Sequence, residues 1–227
     1  MKNNRVPKHS FELLFASLLA VILLPPAFAL QSEVLIKVAL TCVLISSLYI
    51  VTDDKPALIF GGLLAAIATL TSWGEGFITI EGRFIYLSII YIIFFCYICF
   101  FLLRFLIHCR KVSSDIIFAA MCLYVFIGNI WTFIYALLFI IYPNAFTVPV
   151  GLEVTADTNY SQIVSTFSYY SFVTLTTLGY GDISPIHPAA RAWVSVEAIV
   201  GQFYLAIVLA KLVGLAASEK SNNTADN

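Results

Sequence analysis

Long apolar stretches without charge dominate the chain, and their lengths predict its main elements. Charge-free runs cover 13–32, 38–52, 56–74, 84–103, 116–152, 158–181 and 198–210. A helix that crosses the hydrocarbon layer of a bilayer, ~30 Å thick, needs about 20 such residues. We therefore predict an all-α protein with six transmembrane helices, near 11–30, 34–51, 57–73, 84–107, 115–142 and 190–217.

The run 158–181 differs from the others because it is rich in Ser, Thr, Tyr and Gly. It ends in Gly179-Tyr180-Gly181, directly before Asp182. Such a segment is too polar to face lipid, and irregular backbone enters a membrane only where protein or water surrounds it. We predict a re-entrant segment that begins with a short helix near 161–174.

The composition agrees with a membrane protein and excludes several other classes. Of 227 residues, 61% are apolar and 11% are charged, whereas soluble domains average about 25% charged residues. A net charge of -1 gives no basic surface for a nucleic acid. Five cysteines, mostly inside apolar runs, do not form a secreted disulfide framework. Neither a nucleophile with its base nor a metal cluster lies within the apolar segments, so we expect no enzyme activity and no cofactor.

Lysine and arginine predict the orientation, because cytoplasmic loops of membrane proteins are enriched in them. With both termini in the cytoplasm, nine of the twelve lie inside: Lys2, Arg5, Lys8, Lys55, Arg104, Arg110, Lys111, Lys211 and Lys220. We expect a multi-pass protein of the plasma (inner) membrane with cytoplasmic termini. Ala27 and Ala29 also fit a signal-peptidase site, which leaves cleavage of residues 1–29 open.

The segment Thr174–Asp182, Thr-Leu-Thr-Thr-Leu-Gly-Tyr-Gly-Asp, resembles the selectivity filter of the tetrameric potassium channel superfamily. The resemblance extends over 115–217 and is to bacterial-type six-helix members without voltage-sensor arginines. It implies a homotetramer in contact with membrane lipids, with K+ as the permeant ion. The implied domains are a four-helix membrane domain (1–110), a pore domain (111–217) and a disordered cytoplasmic tail (218–227).

Residue types in the filter also follow from the chemistry of a dehydrated cation. Carbonyls of an ordinary strand point alternately to opposite sides, and glycines that accept positive φ allow them to point one way. Gly179 and Gly181 have this implied role. The resemblance assigns K+ to stacked rings of backbone carbonyls, and it implies that a carboxylate at the outer mouth concentrates cations. The ion ligands are then Thr177, Leu178, Gly179 and Tyr180, followed by Gly181 and by Asp182 at the outer mouth.

The resemblance implies further roles around the filter. It assigns the support of the filter to four residues of the preceding helix and turn: Tyr169, Tyr170, Thr174 and Thr176. On the inner helix, Gly201 matches a hinge glycine, although a packing glycine fits the same position. Gln202, Leu205, Leu209 and Val213 follow at helical spacing as cavity and gate residues, with plain helix packing as the alternative.

Glu197 is a carboxylate within an otherwise apolar helix, which marks a functional candidate because its burial is costly. We expect it to pair behind the filter with a hydroxyl or with Arg191 of a neighbouring subunit.

These observations predict a potassium-selective channel with weak or no voltage dependence. A voltage sensor needs several cations on the fourth helix, yet 84–103 has none. The alternatives are a non-conducting accessory subunit and a small secondary transporter. A transporter of this kind is expected to show two related halves with discontinuous helices, which this sequence does not show.

Overall fold

The computed structural model describes residues 10–27, 33–51, 54–74, 82–109, 112–142, 144–148 and 160–225. They form seven α-helices, one 3-10 turn and two short strands. In chain order these are α1 (Ser10–Ala27), α2 (Glu33–Leu48), the 3-10 turn (Tyr49–Val51), α3 (Lys55–Trp73), α4 (Arg83–His108), α5 (Ser114–Ile141), β1 (Phe146–Thr147), α6 (Tyr160–Leu175), β2 (Ser184–Pro185) and α7 (Pro188–Ala225).

Five segments of the described chain are helices long and apolar enough to cross a membrane. They are Val34–Val51, Lys55–Trp73, Arg83–His108, Ser114–Ile141 and Pro188–Leu215. The first of the six predicted spans corresponds to α1, whose described apolar part, Phe11–Leu23, is shorter. The protein is therefore an α-helical membrane protein with five candidate spans among the described residues.

Hydroxyl side chains within the spans donate hydrogen bonds to their own helices. Thr41 donates to the carbonyl of Lys37 at 2.7 Å, and Thr69 donates to that of Ala65 at 2.8 Å. A hydrocarbon interior offers no water to such groups, so a bond to the preceding helical turn satisfies them locally. Polar residues of this kind therefore do not interrupt the apolar helices.

Helices α4 and α5 pack along each other and form the centre of the fold. Their contact contains a cluster of buried aromatic rings, with the centroids of Tyr91 and Phe133 stacked 4.7 Å apart and those of Phe95 and Phe126 separated by 5.5 Å. The same apolar cluster includes residues of α1, α2 and α3. The expected domain boundary at 110–111 is thus not a boundary in side-chain packing.

Two short strands connect the two ends of the region that contains the candidate filter. β1 and β2 pair antiparallel, with Phe146 opposite Pro185 and Thr147 opposite Ser184. The amide of Ile186 also donates to the carbonyl of Ala145 at 2.8 Å. These bonds hold the end of α5 beside the start of α7.

The last helix requires a correction to the predicted tail. We predicted a disordered segment at 218–227, but α7 continues without a break to Ala225. Extending an existing helix adds a hydrogen bond for each residue that is fixed, whereas starting one is unfavourable. The polar composition of this segment therefore does not end the helix.

Several features of the sequence analysis lie outside the described residues. They are the N-terminal cations Lys2, Arg5 and Lys8, the linker cations Arg110 and Lys111, Phe28 and Ala29 of the potential cleavage site, and the last two residues of the tail.

Candidate functional site

Helix α6 is fixed at its start by the fourth helix. The ring of Tyr160 stacks on Phe84 with centroids 5.0 Å apart and planes inclined by 9°. The hydroxyl of Tyr160 also lies 2.7 Å from Oγ of Ser88. The first turn of α6 is therefore held by α4.

The middle and end of α6 pack against α5. Phe167 is fully buried and its ring lies 5.2 Å from that of Phe139. At the C-terminal end, the hydroxyl of Tyr124 donates to the carbonyl of Leu175 at 3.3 Å. The negative end of the α6 dipole is thereby directed at the residues that follow, where it favours a cation.

The backbone after α6 turns its amide groups back toward the helix. The amide of Thr177 donates to the carbonyl of Thr174 at 2.9 Å. Those of Leu178 and Gly179 both donate to the carbonyl of Val173, at 2.9 and 3.3 Å. Two successive amides therefore converge on one side of the chain.

Positive φ recurs at every second residue of this segment. The angle is 62° at Thr177, 56° at Gly179 and 81° at Gly181. Alternation of left-handed and right-handed conformations brings successive amides to one side, which leaves their carbonyls on the other. The positive φ expected at Gly179 and Gly181 is present.

Thr177 was not predicted to have positive φ. This conformation costs a residue with a Cβ about 1–2 kcal/mol. The hydrogen bond from the Thr177 amide to Thr174 and the fixed end of α6 must compensate for this cost. The sequence does contain a signal for it. Gly179 and Gly181 are two residues apart, and the same spacing toward the N-terminus leads to Thr177.

The carbonyl side of this segment is uncovered. Leu178 and Tyr180 expose 59% and 67% of their surfaces. In the described part of the chain, the carbonyls of Thr177, Leu178, Gly179 and Tyr180 accept no hydrogen bond. Four adjacent carbonyl oxygens without a donor are ligands of the kind that replaces the water shell of a cation when several copies surround it.

Residues of α6 contact the outer end of the segment. Asp182 is exposed, and Tyr169 hydrogen-bonds to it. The hydrogen bond to the carboxylate raises the pKa of the Tyr169 hydroxyl above its usual value. This contact connects Asp182, the predicted outer-mouth residue, to α6.

The other support residues bond within α6 or pack against α5. Tyr170 is nearly buried, shares a side-chain hydrogen bond with Thr174, and lies edge-on to Tyr135 with centroids 5.2 Å apart. Thr176 donates its hydroxyl to the carbonyl of Phe172. These contacts stiffen the junction between α6 and residues 176–182, which we call the filter segment because the sequence predicts a selectivity filter there.

Glu197 on α7 is 0% exposed, and its two carboxyl oxygens each contact a hydroxyl group. Ser171 of α6 lies 2.6 Å from its Oε1, and Tyr135 of α5 donates to its Oε2. The partners are hydroxyls of the same chain, which is one of the two pairings expected from the sequence. Neither Tyr135 nor Ser171 was identified beforehand as the partner.

Gly201 follows Glu197 by one helical turn and lies against the end of α6. A Cβ built at Gly201 would be 2.5 Å from the carbonyl oxygen of Leu175. Helix α7 passes through this position without a break. In this conformation the glycine permits a close approach between two helices.

The cavity and gate candidates lie on a different face of α7 from the residues that pack on the chain. Tyr204, Val208 and Leu212 pack against the buried core. By contrast, the four candidates are exposed: Gln202, Leu205, Leu209 and Val213. The described part of the chain therefore leaves this second face of α7 uncovered.

Comparison with known families agrees with the geometry. Residues 112–217 match a family model described as an ion channel. The matched region begins just before α5 and includes α6, the filter segment and most of α7. The match therefore indicates an ion channel. Searches among curated proteins and among solved structures find no significant match for the chain.

Proposed function

We propose that this ion channel is potassium-selective and conducts K+ passively through a homotetrameric pore. Six helices span the membrane, with α1 as the first, and α6 enters it as a re-entrant pore helix. The channel lies in the plasma (inner) membrane with both termini in the cytoplasm. No cofactor, nucleic acid or enzymatic step is part of the proposal.

The alternation of φ at Thr177, Gly179 and Gly181 is the observation that supports the proposal most strongly. It creates a row of carbonyl oxygens that matches the oxygen ligands K+ requires on losing its water. Selectivity for K+ over Na+ rests further on the resemblance of Thr174–Asp182 to potassium filters.

Assembly into a tetramer is supported by the incompleteness of a single chain. One row of carbonyls cannot surround an ion, and the face of α7 with Leu205 and Leu209 is exposed. Closed cyclic symmetry would complete the ion sites and cover this face at once. The family resemblance favours four copies.

Weak or absent voltage dependence is supported by the charges of α4. Its residues 84–103 carry no charge, and Arg104 lies near its C-terminal end. One elementary charge crossing the field yields only about 2.3 kcal/mol per 100 mV. With at most one such charge per chain, a steep response is not expected.

Liposomes that contain the purified protein test the proposal. With a K+ gradient, unmutated protein should pass K+ and reject Na+, and Gly179→Ala should degrade this selectivity because its φ of 56° disfavours a Cβ. Gly62→Ala is the matched control, since a Cβ there meets no atom within 4 Å. Equal fluxes of K+ and Na+ through unmutated protein would contradict the proposal.

A further inference from the structure

Three helices meet behind the filter through a chain of hydrogen bonds. Tyr135 of α5 contacts Oε2 of Glu197 on α7, and Oε1 of Glu197 lies 2.6 Å from Oγ of Ser171 on α6. Oγ of Ser171 in turn lies 2.8 Å from the carbonyl oxygen of Gly128 on α5. All three side chains are 0% exposed. Bulk water therefore does not reach these contacts.

Counting protons in this chain of contacts indicates the state of Glu197. Three hydrogen bonds need three protons, but the hydroxyls of Tyr135 and Ser171 supply only two. The carbonyl of Gly128 is an acceptor and cannot supply the third. A carboxylic acid at Glu197 does, because its O–H donates to Ser171, which then donates to Gly128, while Tyr135 donates to the other carboxyl oxygen.

The surroundings of Glu197 agree with a neutral group. The ionisable residues that face it in the described chain are tyrosines: Tyr135 and Tyr124 on α5 and Tyr170 on α6. None of these supplies a positive charge, and an ion buried without one is costly. A proton on Glu197 neutralises its charge and supplies the hydrogen bond that the two hydroxyls cannot make.

We propose that Glu197 is a positioning residue that acts as a neutral carboxylic acid and clamps the pore helix α6 between α5 and α7. Ser171, which it holds, lies one helical turn before Leu175, and the filter segment begins directly after Leu175. The clamp thereby fixes the position of the filter relative to the inner helix. This inference rests on the proposed function for its effect on selectivity, but not for the protonation state.

Substitution by an amide separates this role from that of a charge. In Glu197→Gln, the amide N–H replaces the acid O–H toward Ser171, and the amide oxygen still accepts from Tyr135. Selectivity for K+ over Na+ should therefore stay within about twofold of the unmutated value, whereas Glu197→Leu should lower it about tenfold, the effect of one buried group left without a partner.

Ser171→Ala tests the clamp from the other side. It should lower selectivity as Glu197→Leu does, and the two substitutions combined should cost little more than either alone, because they break one network. The matched control is Ser47→Ala on α2. Ser47 is also 0% exposed, but its hydrogen bond within the described part of the chain is to the carbonyl of Leu44 in its own helix. The selectivity of Ser47→Ala for K+ over Na+ should therefore equal that of the unmutated protein.

An infrared measurement reads the protonation state without any ion flux. Unmutated protein should show the carbonyl band of a buried carboxylic acid, and the band should disappear in Glu197→Gln. Absence of the band, or a loss of selectivity in Glu197→Gln as large as in Glu197→Leu, would overturn the inference. If unmutated protein fails to select K+, the proposed function is wrong, and the infrared band still decides the state of Glu197.

Discussion

Replacing Gly201 by alanine distinguishes a hinge from a packing contact. A Cβ at this position would lie 2.5 Å from the carbonyl oxygen of Leu175 and 3.0 Å from its Cδ1. The carbonyl belongs to the last residue of α6 and also accepts the hydroxyl of Tyr124. It cannot swing aside as the end of a side chain can. The two helices must therefore separate.

The size of the effect follows from this distance. Ordinary contact begins at 3.4 Å, so α7 must move by about 0.9 Å, the difference from 2.5 Å. Forcing an extra methyl into a packed contact costs about 1–3 kcal/mol. Alanine also stabilises a helix interior by about 1 kcal/mol relative to glycine. At a freely bending hinge only this second, stabilising effect would be present.

Gly214→Ala isolates the cost of packing. Gly214 lies on the same helix, and a Cβ there meets no atom within 4 Å. Both variants gain the same helix preference, so the difference between them equals the packing cost of about 1–3 kcal/mol. For a chain of this size each kcal/mol shifts the melting temperature by about 2–4 °C.

Thermal melting of the detergent-solubilised protein, followed by loss of the assembled species, provides the measurement. Gly201→Ala should melt below Gly214→Ala by at least about 2 °C, and it should also lose K+ selectivity, because the displaced carbonyl adjoins the filter segment. Equal melting temperatures for the two variants, with selectivity intact, would show that the close approach at Gly201 is not maintained in the assembled protein.

The remaining predictions concern the inner end of the pore. Leu209→Ser or Val213→Ser should raise the open probability in single-channel recordings by wetting an apolar constriction, and unchanged gating in both would place the gate elsewhere. Lys211→Met should lower the melting temperature, because the Lys211 ammonium donates to carbonyls at the C-terminal end of α4 and charged hydrogen bonds contribute about 1.5–3 kcal/mol; an unchanged melting temperature would mean that the contact adds nothing. A conductance–voltage curve in symmetric K+ should be shallow, since 84–103 is uncharged, and a steep sigmoid would contradict this.

The sequence predicted the helices well because apolar run length is a direct consequence of membrane thickness. The predicted ranges 84–107 and 115–142 agree within one residue at each end with α4 and α5. Where no such constraint acts, the prediction was wrong. The polar segment 218–225 has no membrane to define it, and the structure continues α7 through it.

Contacts between residues far apart in the chain could not be predicted from the sequence, for a different reason. Periodicity defines the face of a helix, but it does not define its register against another helix. Glu197 stood out as a buried carboxylate, yet its partners Ser171 and Tyr135 are 26 and 62 positions away in the chain. Thr177 was missed because a β-branched residue disfavours positive φ, and the angle is made acceptable there by the hydrogen bond to Thr174 at the fixed end of α6.

Helix α4 contacts both α6 and α7, which matters for any stimulus that acts on the N-terminal helices. Near its start, Phe84 and Ser88 contact Tyr160 at the beginning of α6. At its other end, the carbonyls of Leu106 and Ile107 accept hydrogen bonds from the ammonium of Lys211 on α7. Because α4 is one continuous helix between these contacts, a tilt that relieves one of them strains the other. We expect lipid or membrane tension acting on α1–α4 to move α6 and α7 together, and hence to act on the proposed pore.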